Sequence, residues 1–116
     1  MPSGTHTSRP PLKPPVLHIL LALSGGALHG LGIADEVEES SAGVIRLGPG
    51  TLYRSLDEMQ VEGLIRKADS PEEGADPRRK YYRITPRGES LLRMEMERYH
   101  RMVEHARENK VLPERA

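Results

Sequence analysis

The last quarter of the chain carries the strongest constraint on its fold. From Pro86 to Lys110 the apolar residues Leu92, Met96, Tyr99, Val103 and Ala106 recur at alternating spacings of four and three. That period of 3.5 belongs to a helix packed lengthwise against another helix. The spacing predicts one long helix here, started by Thr85 as cap and Pro86 in the first turn. A chain of 116 residues buries only a modest core. A second copy of the chain is therefore the natural partner for the five stripe residues. Packing of the whole stripe inside its own chain is the alternative.

Upstream, helix breakers divide the chain into short pieces. Residues 1–15 form a Pro-rich leader, expected to be flexible or extended. A nearly continuous apolar run predicts a central helix over Val16–Leu23, ended by Gly25 and Gly26. A second helix is expected over Leu31–Ser41, with Ile33, Ala34 and Val37 inward and Gly43 as its stop. Gly48-Pro49-Gly50-Thr51 marks a turn and a third helix start, giving a helix over 50–62. Its Leu52, Leu56 and Met59 share one face, and Gly63 ends it. Leu64–Asp69 and Arg78–Thr85 read as two strands of a hairpin around a Pro/Gly loop over 70–77, with one of Tyr81 or Tyr82 facing inward. The result is a mostly α fold with a small β-hairpin, a winged helix-turn-helix followed by a long helix. Its parts are a leader (1–15), a winged helix-turn-helix domain (16–85) and a dimerisation helix with its tail (86–116).

Composition narrows the function. The chain has no Cys, which excludes disulfides, thiol catalysis and thiolate metal sites. Its five His are scattered, and no nucleophile, phosphate loop or paired buried carboxylate is apparent; neither an enzyme nor a metal or other cofactor is expected. The longest apolar stretch is far too short to span a bilayer, so no membrane partner and, by default, a cytoplasmic location are expected. Seventeen basic and seventeen acidic residues cancel. They are nonetheless separated: Asp35, Glu36, Glu38 and Glu39 bunch in one place, and Arg78, Arg79, Lys80 and Arg83 in another.

In a winged helix-turn-helix one helix enters the major groove of double-stranded DNA while the hairpin reaches the flanking backbone. On a helical wheel Arg54 lies almost opposite Leu52, Leu56 and Met59 and must point outward, with Thr51 and Ser55 on its flanks. A helix start also turns free N–H groups and partial positive charge toward phosphate. Arg54 can read guanine or hold phosphate, and Tyr53 can offer its hydroxyl to phosphate. Arg78, Arg79 and Lys80 are candidates to anchor the wing base. Glu72, Glu73 and Asp76 make the wing loop acidic, which is unhelpful for phosphate contact. Zero net charge leaves a second reading open, a protein-interaction module that keeps the fold without binding DNA.

Longer motifs carry a resemblance. Leu47-Gly48-Pro49-Gly50-Thr51-Leu52-Tyr53-Arg54-Ser55-Leu56, with Glu62-Gly63-Leu64-Ile65, resembles the recognition-helix signature of the PadR family of transcriptional regulators. Arg79-Lys80-Tyr81-Tyr82-Arg83-Ile84-Thr85-Pro86-Arg87-Gly88 resembles the strand and turn that close the family's wing. Leu17–Leu21 and His29-Gly30 are similar to its first helix and the start of its second. The resemblance spans roughly residues 16–110 and fits the short members with a single C-terminal helix. It implies a homodimer held by the first and last helices, usually a repressor. In some members a small molecule binds near the dimer interface and releases DNA, so an effector of unknown identity is an expectation carried by the resemblance. Leu31 replaces the Tyr common after His-Gly in the family, and the chain has no Trp of the kind some drug-binding relatives place in their pore. Both departures argue against an aromatic-stacking ligand site and leave the fold untouched.

Overall fold

The computed structural model describes residues 9–71, 74 and 76–114. The leader residues 1–8, the wing-loop Glu72, Glu73 and Ala75, and residues 115 and 116 lie outside the described residues. The elements run α1 (Pro14–Leu23), β1 (Leu28–His29), α2 (Gly30–Ser40), α3 (Pro49–Val61), β2 (Ile65–Ala68), β3 (Tyr81–Ile84) and α4 (Pro86–Glu108).

Helix α1 starts two residues earlier than its apolar run. Lys13 is the extended cap, and Pro14 and Pro15 fill the first turn, where their missing N–H groups are not needed. Leu17, Ile19, Leu20, Ala22 and Leu23 of α1 are all buried, so this helix is the centre of the core. Ile33 and Val37 of α2 and Leu52, Leu56 and Met59 of α3 pack around it. Gly63, at φ +76, ends α3 in a left-handed turn. The Leu64 N–H reaches the Met59 carbonyl at 2.9 Å and the Gly63 N–H the Gln60 carbonyl at 3.0 Å. Those two bonds form a Schellman cap, which turns the buried Leu64 back onto the core.

The sheet has three strands in the order β1-β3-β2, all antiparallel. Strand β1 is absent from the sequence reading because two residues have no periodicity to detect. It pairs Leu28 with Tyr82 and His29 with Tyr81, placing β3 in the middle. The hairpin strands are shorter than their sequence pattern: Arg78, Arg79 and Lys80 precede β3 rather than forming its start. Both tyrosines are buried, not one. Tyr82 joins the core, while Tyr81 on the opposite face has its ring 5.4 Å from that of His29.

Thr85 joins three elements at one point. Its hydroxyl donates to the Gly63 carbonyl at 2.6 Å and accepts the Gly88 N–H at 3.1 Å. Its own N–H donates to the Leu64 carbonyl at 3.0 Å. The end of α3, the approach to β2 and the start of α4 are thereby held together. Gly88 seats α4 on this joint, since a side chain there would meet the Leu64 carbonyl and, at 2.9 Å, Cγ1 of Ile84.

Farther along α4, Glu95 is fully buried although charged. It accepts from Arg98 Nε at 2.7 Å and Nη2 at 3.1 Å, and from the Leu12 N–H at 2.7 Å. The Arg98 guanidinium, helped by the Leu12 N–H, holds its carboxyl below the usual glutamate value against the opposing effect of burial. Leu12 is itself buried in the core, so the leader is docked at its end rather than free up to residue 15. Leu92 also departs from expectation: it is 7% exposed and packs into its own core. Met96 and Tyr99 pack partly against that core, whereas Val103 and Ala106 remain half-buried in the single chain. The first three stripe positions therefore serve the chain's own fold to differing degrees. Among the described residues no helix is long and apolar enough to cross a membrane.

Candidate nucleic-acid interface

Helix α3 divides cleanly into two faces. Leu52, Ser55, Leu56 and Met59 are buried, and Gly50, Tyr53, Arg54, Asp57, Glu58 and Val61 are exposed. Arg54 therefore points outward as its position on the wheel requires, and Thr51 is half-buried beside it. Ser55 does not flank an open surface. It is 8% exposed, because it sits one position before Leu56 and shares the edge of the buried face.

The start of α3 is left open. Gly48 is the extended cap with no side-chain bond, Pro49 occupies the first turn, and a Cβ at Gly48 or Gly50 would meet nothing within 4 Å. The first N–H groups of the helix thus face outward with their partial positive charge. The start of α2 likewise has no side-chain cap.

Tyr53 connects these two starts. It is 47% exposed, yet its hydroxyl and the adjoining ring carbon lie against Gly30, the first residue of α2. A Cβ at Gly30 would collide with that hydroxyl and come within 3.0 Å of Cζ. Gly30 thereby leaves the room in which the Tyr53 ring lies across the two helices. Behind it, burial first, and then the nearby Tyr53 and Asp57, push the Tyr82 phenol above its usual value, so Tyr82 stays neutral.

The three candidate wing cations are not equivalent. Arg78 forms a fork with Asp76, Nε to Oδ1 and Nη2 to Oδ2 both at 3.1 Å, while the Arg78 N–H adds a bond to Oδ1 at 2.9 Å. These hydrogen bonds hold the Asp76 carboxyl below its usual value. Arg78 is thus already engaged within the wing. Arg79 and Lys80 are exposed, and among the described residues neither side chain has an ion-pair or hydrogen-bond partner. Sequence reasoning passed over Arg66 and Lys67, both exposed on β2. The adjacent basic pair was a visible signal, obscured because the larger run beginning at Arg78 drew the assignment.

Comparison with known proteins is consistent across sequence and structure. Residues 16–94 match the transcriptional regulator PadR-like family. Transcriptional regulator Rv3488 of Mycobacterium tuberculosis is 32% identical over 76 residues, covering 66% of this chain and 66% of that protein. The chain spans between 20% and 66% of the length of the curated relatives it matches. A PadR family transcription regulator from Clostridium difficile superposes with a TM-score of 0.68 at 24% identity, covering 83% of this chain and 97% of that one. Bacillus subtilis PadR in complex with operator DNA superposes with a TM-score of 0.60 at 23% identity, covering 70% of this chain and 45% of that one.

Proposed function

Because this chain belongs to the PadR-like family of transcriptional regulators, we propose that it binds double-stranded DNA as a homodimeric repressor, with α3 in the major groove. The observation that carries the reading is the exposed first half of α3, where Tyr53 and Arg54 project beside an uncapped helix start. Backbone N–H groups there suit phosphate, and Arg54 suits guanine or phosphate. Arg79 and Lys80, without partners among the described residues, supply the wing's grip on the backbone. Val103 and Ala106 on α4, with Met102 and Leu21 exposed on α4 and α1, form the surface for the second copy. Two α3 helices then fall about one helical turn apart, roughly 34–36 Å, on a near-palindromic site. A small-molecule effector, if the chain takes one, acts through this α1–α4 interface.

The test is a binding titration on the DNA upstream of the chain's own gene, with scrambled DNA as control. Arg54→Ala costs about 1–3 kcal/mol on the specific site alone when Arg54 reads a base, and weakens both DNAs equally when it holds phosphate. Affinity falls steeply between roughly 50 and 200 mM salt. A salt-indifferent complex, or a protein partner retained where no DNA binds at low salt, points instead to an interaction module.

A further inference from the structure

The outer face of the sheet carries an electrostatic conflict. Strands β2 and β3 pair Ile65 with Ile84, Arg66 with Arg83, Lys67 with Tyr82, and Ala68 with Tyr81. Partners in register share a face, and faces alternate along a strand. Ile65 and Tyr82 face the core, so Arg66 and Arg83 stand directly opposite one another on the face turned away from it. Both are exposed. Like charges directly opposite destabilise a strand pair. Among the described residues neither guanidinium has an ion-pair or hydrogen-bond partner to relieve that repulsion.

The pair also lines a groove of about 860 Å³, within the size range of small-molecule sites. The groove is also lined by the turn after α1, where Ser24, Gly26 and Ala27 present only small side chains. A Cβ at Gly26 would meet nothing within 4 Å, so that turn leaves its part of the groove open. Asp69 and Glu89 also line the groove and add acceptors for a hydroxyl or amine. The pair lies two residue positions farther from the wing loop than Ala68–Tyr81, about 7 Å, which separates it from Arg79 and Lys80.

We propose that Arg66 and Arg83 together bind a small-molecule oxyanion, a phosphate or a carboxylate, in this groove. A guanidinium presents paired N–H donors that fit two oxygens of one such group, and two facing guanidiniums can share a multivalent anion. The bound anion replaces the repulsion across the strands with two attractions. The site uses neither Arg54 nor the start of α3, so the proposal does not rest on the reading of that helix as the DNA-binding element.

The experiment measures the melting temperature of the intact protein against inorganic pyrophosphate and, in a second arm, citrate, with sodium chloride at matched ionic strength as control. A saturable rise of several degrees with either probe, absent with chloride, is expected. The arm with the larger shift distinguishes phosphate from carboxylate. Arg66→Ala with Arg83→Ala weakens the binding by about tenfold or more. Arg83→Glu keeps the outcome readable: it places opposite charges in register with Arg66, so the protein stays folded at least as stably while the probe shift disappears. Absence of a shift with both probes overturns the proposal, as does a shift that survives in the double alanine variant. Loss of DNA affinity in that variant without any probe assigns the pair to the phosphate backbone and overturns it equally.

Discussion

Helices α3 and α4 begin with the same local grammar and opposite surroundings. Each has an extended cap, a Pro in the first turn and a Gly close behind: Gly48-Pro49-Gly50 for α3 and Thr85-Pro86-Arg87-Gly88 for α4. At α4 the cap bonds both to the helix's own Gly88 N–H and to the Gly63–Leu64 turn, and Gly88 has the Leu64 carbonyl against it. At α3 the cap has no side-chain bond, and open space surrounds both glycines. Proline sets the backbone angle in both cases. What differs is whether the freed N–H groups are satisfied inside the fold or left open at its surface. The same short motif thus builds a joint in one place and an open helix start, the surface proposed for DNA, in the other.

The largest effect expected from this contrast is at Gly88. Gly88→Ala drives a methyl into the Leu64 carbonyl and destabilises the protein by about 1–3 kcal/mol, read from urea unfolding. Unchanged stability would mean that α4 is not seated on that joint. Next comes the second anchor of α4. Glu95→Gln removes the charge that holds Arg98 and weakens the bond to the Leu12 N–H, at about 1–2 kcal/mol near neutral pH. The folded carboxyl titrates below its unfolded value, so its contribution is complete above roughly pH 4.3 and disappears as pH falls through the lower, folded value. The gap between wild type and Glu95→Gln should therefore narrow on acidification. A gap that is constant with pH would remove the charge from the explanation.

Thr85→Ala deletes the α4 cap and its bond to Gly63, for about 1 kcal/mol. The smallest effect belongs to the open helix start. Gly50→Ala has room for its methyl and raises stability by about 0.5 kcal/mol through its helix preference. On the proposed reading of α3 the same change lowers DNA affinity, because a methyl at residue 50 keeps the backbone from close approach to phosphate; unchanged affinity would remove this helix start from the DNA surface. If Gly50→Ala destabilises instead, the two helix starts are more alike than their surroundings indicate.

Local chemistry made much of this legible in the sequence. Thr85-Pro86 and Gly63 could be read as boundaries because capping and left-handed turns depend on a few neighbouring residues. The outward direction of Arg54 follows from helical period alone. What stayed hidden depends on distant contacts. Strand β1 exists through its pairing with β3 more than fifty residues later, and the bond between Leu12 and Glu95 joins residues 83 positions apart. Ser55 and Leu92 went astray for a related reason: a wheel orders side chains around an axis, and packing decides how far each neighbour covers them. The engagement of Arg78 by Asp76 was local, yet it required the turn's geometry to reveal it.

The joint at Thr85 has a mechanical meaning. Helix α4 is 23 residues, about 34 Å, long and is held to the rest of the fold at two places, by Thr85 at its start and by Glu95 near its middle. Two anchors on one rod fix its direction, so only the part beyond Glu95 is an overhang. From Glu95 to Ala106 that overhang is about 16 Å. A displacement of about 3 Å at Ala106 corresponds to a bend of about 10° beyond the second anchor, with the bonds to Gly63 and Leu12 intact.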